Sequence, residues 1–503
     1  MKGVMVQGTS SDVGKSLIAT AICRVLANEG LSVSPFKSQN MSNNSYVTAD
    51  GKEIGRAQGI QAEAAKTNAT VWMNPILLKP RTDASSEVVL FGEATKTLSG
   101  RGYRETFYHK GLEAIQTSLA HLGERFEWIV MEGAGSPVEI NLKDKELVNM
   151  KVAELADIPV ILVADIDRGG VFASIIGTLE LLSPEERVRV KGLIINKFRG
   201  DLSLFDDGLN WLEERCGIPV LGVLPFMDNH MIDGEDSLSI PPSLNRPDKP
   251  IQIVVIKPPY ISNYTDVEPF YFEEDVSIRW VSRLADIGTP DAVILPGTKS
   301  TISDLRFLKQ EGFDLWLKEF AARGGYIAGI CGGYQMLGEQ LLDPFGTDTG
   351  NEEAVELGIG LIPAVTTFLP KKTTIRSQGV MHINTRLTFD QPISGYEIHL
   401  GETVLDSEVE GERFITLDHG EEEGYFAHEG KIIGTYMHHI FHHDQWRNWW
   451  LNRLRKSKGF GQQEVVHISD LKDEKYDELA FHFLNHINWD ALKSIMNHGE
   501  MDR

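Results

Sequence analysis

The run Gly8-Thr-Ser-Ser-Asp-Val-Gly14-Lys15-Ser16 constrains this chain more than any other. It follows an apolar stretch at 3–7 and opens a helical stretch at 16–28. A glycine-rich turn between strand and helix aims a row of backbone N–H groups at one point by the positive end of the helix, where phosphate oxygens settle. A lysine there reaches the β and γ phosphates, and the following serine hydroxyl meets Mg²⁺. Gly8, Thr9, Gly14, Lys15 and Ser16 are therefore expected to bind ATP and, through Ser16, the metal. The spacing departs from the common form. Five residues separate Gly8 from Gly14, one more than usual, and Thr9 stands where the first glycine would.

Such a loop needs a parallel sheet behind it. Apolar runs at 3–7, 128–131, 159–164, 192–195 and 220–223 alternate with helical stretches such as 16–28 and 54–66. That alternation predicts a parallel α/β domain over residues 1–236. Residues 237–250 carry four prolines and no periodicity, and read as a linker. Alternation resumes at 251–256, 292–295 and 326–330, predicting a second α/β domain over 251–463, with a polar helical tail over 464–503.

Charge and cysteine usage narrow the partners. The net charge is −23, which repels phosphate backbones and anionic lipid and argues against nucleic acid or a membrane surface. Cys23, Cys216 and Cys331 are an odd, widely spaced set, which suggests a reduced compartment rather than a disulfide framework. The apolar run at 158–164 is far too short to span a bilayer. A soluble cytoplasmic protein without a redox cofactor is expected.

Further candidates stand at the ends of the expected strands, where α/β folds place ligand groups. Glu132 follows one strand as a second Mg²⁺ anchor would, Asp165, Asp167 and Arg168 follow the next, and Asn196 closes another and could read an adenine edge. Taken singly, each also fits ordinary turn chemistry. Two polar stretches, 37–45 with Lys37, Gln39 and Asn40, and 79–86 with Lys79 and Arg81, mix cations with amides and hydroxyls. They read either as surface loops or as a cradle for a ligand with several carboxylates.

In the second half, Ala328-Gly-Ile-Cys331-Gly332-Gly333 follows an apolar run and precedes a helical stretch. Small residues around a nucleophile on a sharp strand-to-helix turn leave the thiolate exposed at a helix N-terminus, which lowers its pKa. The N–H of Gly332, with one from the loop around Gly297, would face a developing oxyanion. His438, first after the apolar run at 431–434, is the expected base. A metal reading competes, because His438/His442 and His439/His443 are i,i+4 pairs on a possible helix.

These residues are familiar in combination. The Cys331 turn with His438 resembles the class I glutamine amidotransferases, in which the cysteine attacks glutamine and ammonia leaves. The longer loop at 8–16 resembles that of dethiobiotin synthetase, and the first half is similar to the family of that enzyme and the cobyrinic acid amidases. The strings SQNMSNNSYVT (38–48), DGKEIGRAQGIQAEAA (50–65), EGAGSPVEINL (132–142), DIDRGGVFAS (165–174) and NKFRGD (196–201) carry the likeness over nearly the whole chain.

The resemblance implies ATP- and glutamine-dependent amidation of four peripheral carboxylates of adenosylcobyrinic acid a,c-diamide, a corrinoid, through an acyl phosphate. It further implies that Gln335 helps hold glutamine, that Ser16, Glu132 and Asp50 bind Mg²⁺, and that Lys37, Asp50 and Glu53 belong to the synthetase site. Amidation of another acid, such as the a and c carboxylates of cobyrinic acid, or a P-loop switch ATPase with a silent second half, are the alternatives. The class I pattern places a Glu two residues after the His and a Gly one after it; here those positions are Ile440 and His439. His438 either works alone or takes its orientation from another acid such as Glu397.

Overall fold

The computed structural model describes residues 1–82, 85–227, 249–381, 392–406 and 414–497. Most of the expected linker at 237–250 lies outside them, as does the side chain of Arg81. The chain divides into two compact units. One is Met1–Leu238 together with Lys472–Arg503, and the other is Ser239–Leu471.

The first unit is built on a six-stranded sheet ordered Val220–Pro225, Val190–Phe198, Val160–Asp165, Lys2–Gly8, Trp128–Glu132, Val33–Phe36, every pairing parallel. Its central strands are mostly apolar, as strands buried on both faces are. The helix Lys15–Asn28 covers one face with Ile18, Ile22, Val25 and Leu26. A smaller sheet pairs Gln39–Met41 with Ile76–Thr82, then Ser85–Leu90 and Glu93–Ser99.

The expected tail is two helices, Ile468–His486 and Trp489–Asn497. Tyr476, Leu479, Ala480, Phe483, Leu492 and Met496 pack into the same core as the helix Lys15–Asn28. Arg24, fully buried, is held between Asp473 and Asp477 at 2.7 Å each.

The second unit has a sheet ordered Val276–Val281, Ile251–Ile256, Ala292–Leu295, Tyr326–Ile330, Ile432–Thr435, Tyr425–Ala427, parallel except for the last pair. A second sheet is dominated by the long antiparallel pair Ala364–Met381 and Pro392–Leu405. Among the described residues no helix is long and apolar enough to cross a membrane.

Candidate functional site

In the first unit, the strand Lys2–Gly8 runs into the glycine turn and the helix begins at Lys15. Gly14 has φ 99°, and a Cβ there would lie 2.2 Å from Asn196 Nδ2, so only glycine fits. Thr9 N–H donates to Val163 O at 2.9 Å, tying the start of the turn to the next strand. Lys15 is fully buried, and its Nζ donates to Ser10 O at 3.1 Å. Asn196 Nδ2 donates to Val13 O at 2.8 Å and braces the turn. Lys197 next to it bonds Asp165 Oδ2 at 2.8 Å, and the mostly exposed Arg168 lies 3.6 Å from Asp12.

Glu132 ends its strand at the heart of this arrangement. Its Oε1 accepts from Ser16 Oγ and from Lys37 Nζ, each at 2.8 Å, and its Oε2 accepts from Gln61 Nε2 at 2.6 Å. Burial alone would push this carboxyl up. The Lys37 charge and the hydrogen bonds from Lys37, Gln61 and Ser16 outweigh it and hold Glu132 below the usual carboxylate range. The oxygens Gln7 Oε1 and Gln61 Oε1 are buried with no hydrogen-bond partner among the described residues. A hydroxyl and a carboxylate 2.8 Å apart, beside a phosphate-binding turn, are the hard oxygen donors that Mg²⁺ takes when phosphate completes its shell.

A cavity of about 720 Å³ opens next to the turn, from Ser11 and Asp12 past Lys37, Gln39 and Asn40 to the segment 134–149. Four further expected ligand groups are not among the residues lining this cavity. Lys79 is buried in an ion pair with Glu53 and donates to Ser45 Oγ at 2.7 Å. Asp50 sits in an exposed turn, where its carboxylate accepts from Thr48 Oγ1. The Arg81 side chain is not among the described residues.

In the second unit, the strand Tyr326–Ile330 delivers Cys331 at φ 52°, ψ −110°, a conformation rare for any residue but glycine. Its N–H donates to Thr435 O at 2.7 Å, which pins the turn to the neighbouring strand. A Cβ at Gly333 would come within 2.0 Å of Leu295 O, and one at Gly332 within 3.1 Å of Thr298 N. The loop after Leu295 is therefore pressed against the turn, and Gly297 in turn lies against the His438 ring.

His438, fully buried, stacks on Tyr396 with ring centroids 5.0 Å apart. Its Nδ1 is 2.7 Å from Asp266 Oδ2, and Asp266 Oδ1 accepts from His439 N–H at 2.8 Å. Burial disfavours the imidazolium, but the charges of Asp266 and Cys331 and their hydrogen bonds raise His438 above its ordinary value. This acid lies in the irregular stretch Tyr264–Phe272, and nothing in its spacing from His438 announced it. Glu397, one candidate for this role, accepts from Ser377 Oγ and sits 3.3 Å from His399 Nε2. His439 has φ 69°, the left-handed conformation that explains why a glycine would be at home there.

Gln335 is buried with both ends of its amide engaged, accepting from Thr301 Oγ1 at 3.1 Å and donating to Tyr436 OH at 3.2 Å. The metal reading of the histidines fails. Residues 440–442 form only a 3₁₀ turn, His442 Nε2 bonds Thr265 O, His443 Nε2 bonds Ser394 O, and no metal-binding cluster occurs among the described residues.

Residues 4–238 match the family described as the CobQ/CobB/MinD/ParA nucleotide binding domain, and residues 252–446 the CobB/CobQ-like glutamine amidotransferase domain. A nucleotide-binding α/β unit joined to an amidotransferase unit makes this a glutamine-dependent ligase. Cobyric acid synthase of Geobacillus sp. (strain WCH70) is 48% identical over 98% of this chain and 97% of its own length. That of Desulforamulus reducens is 47% identical over 99% of both, and that of Trichormus variabilis 43% over 97% and 99%. The chain belongs to the cobyric acid synthase family.

Proposed function

We propose that this enzyme amidates the b, d, e and g carboxylates of adenosylcobyrinic acid a,c-diamide to give adenosylcobyric acid, consuming ATP and glutamine at each. The observation that carries this reading is the cavity beside the P-loop turn, which brings Lys37 and its partner Glu132 to the same place as the phosphate-binding backbone.

At the second unit, the Cys331 thiolate attacks the glutamine amide carbon after its proton passes to His438. The oxyanion is met by the N–H of Gly332 and one from the loop at 297–298. His438 returns the proton to the departing ammonia, and water then hydrolyses the thioester to glutamate. Asp266 holds the ring so that Nε2 serves as the base. At the first unit, a substrate carboxylate attacks the γ-phosphorus of ATP, ADP leaves, and an acyl phosphate forms. Ammonia then attacks the acyl carbon and phosphate departs. Backbone N–H groups of the turn and Lys15 hold the phosphates. Ser16 and Glu132 would hold Mg²⁺, which when bound neutralises phosphate charge.

The test is mass spectrometry of the product from the a,c-diamide, ATP and glutamine, counting amides added. Four are expected, and none would sink the reading. Cys331→Ala should lose glutamine-dependent turnover but keep turnover with free ammonia, whereas Lys15→Ala should lose both.

A further inference from the structure

The cavity of the first unit has an unusual mixture of walls. Leu78, Val88, Leu98 and Leu147 line it, and Met41 and Leu142 reach its rim with about half their surfaces exposed (50% and 44%). Phosphates and a small polar acid need no such apolar surface. A broad ligand with an apolar face does.

Four cations line the same cavity. Lys37 is bound to Glu132 at 2.8 Å, Lys143 to Glu186 at 2.7 Å, and Arg104 to Asp144. Lys145 alone among these four has neither an ion-pair nor a hydrogen-bond partner among the described residues, although it is partly buried. Its positive charge therefore has no paired counter-charge among the described residues, and an anionic ligand would supply one. It also stands two residues from Lys143 on a 3₁₀ stretch, Ile140–Lys145, whose Leu142 reaches the rim.

We propose that Lys145 determines specificity by pairing with a peripheral carboxylate of the bound acid other than the one being activated, while Met41 and Leu142 contact the apolar face of the ligand. The inference rests on the corrinoid reading above. It adds that this carboxylate is recognised as a charge, so the pairing is lost as successive carboxylates become neutral amides. Lys145 therefore binds early substrates more strongly than late ones. It positions the ligand and takes no part in bond making.

The experiment is steady-state amidation by the full chain with saturating ammonia and ATP, on the a,c-diamide and on a penta-amide in which three of the four target carboxylates are already amides. Lys145→Met should raise KM for the a,c-diamide by roughly tenfold or more, with kcat and KM for ATP within about twofold of the parent. Lys145→Arg should restore most of that loss, and the penta-amide KM should barely change. Rising salt should raise the parent KM for the a,c-diamide more steeply than that of Lys145→Met. An unchanged KM in Lys145→Met, or an equal rise for both substrates, would overturn the proposal. Failure of the parent enzyme to amidate the a,c-diamide at all would instead overturn the functional reading on which it rests.

Discussion

Asp266 gives one carboxylate oxygen to the His438 ring and the other to the backbone N–H of His439, so a single side chain fixes both the imidazole and the turn that presents it. Replacing it with Asn keeps the shape but lets the amide N–H face Nδ1 and favour the wrong tautomer. Asp266→Asn should lower glutaminase kcat by on the order of 10²–10⁴ while KM for glutamine moves little. Removing the anion also lowers the folded-state pKa of His438, so the pH–rate profile of the variant should shift. A variant with parental kcat and profile would show that His438 needs no carboxylate. Cys331 and the P-loop glycines were legible in sequence because backbone geometry dictates their types: an elbow crowded to 2.0 Å at Gly333 admits no side chain, and neither does Gly14. Asp266 was illegible because no backbone constraint or period marks an acid 172 residues before its partner.

Elements tell a similar story. The central strands of both units were readable because strands buried on two faces must be continuously apolar. The helix Ile468–His486 reads as a polar tail because charged residues are spread along its length. Its buried face was nevertheless present in the spacing Tyr476, Leu479, Ala480, Phe483, the i, i+3, i+4, i+7 pattern of an amphipathic helix. Phe483 is 1% exposed in that core, so Phe483→Ala should destabilise the first unit by about 3–5 kcal/mol. Amide exchange should then accelerate along the helix Lys15–Asn28 against which it packs. Unchanged exchange there would mean that the C-terminal helices are an accessory layer. The partners of Lys79 and Asp50 are illegible for a simpler reason. A polar string in sequence does not reveal which cations already have buried partners.

On the scale of the molecule, the charge of −23 is unevenly spread. Residues 1–200 carry 23 basic and 23 acidic side chains, so the whole excess lies beyond them. The same acidic half buries carboxyls. Burial and the charge of Glu397 push Glu423 up from 4.5 to about 8, while hydrogen bonds from Thr435 and Tyr436 only partly oppose the rise. The folded form then keeps a proton that the unfolded chain has lost. Stability from this group is full below pH 4.5 and declines as pH rises towards 8. Glu423→Gln should flatten the fall in thermal midpoint of the second unit across that window. An identical slope in parent and variant would remove Glu423 as its source.

The first unit takes its core from both ends of the sequence, Met1–Leu238 and Lys472–Arg503, with the second unit wholly between them. A ribosome therefore makes the nucleotide-binding sheet early but cannot complete the layer over the helix Lys15–Asn28 until residues 472–497 have emerged. Through most of synthesis Ile18, Ile22 and Val25 await their cover, while the amidotransferase half can fold as soon as residue 471 is out. Nascent chains stalled before residue 472 should thus bind trigger-type chaperones on that open face, and a truncated product would be cleared by proteases rather than persist as an idle glutaminase.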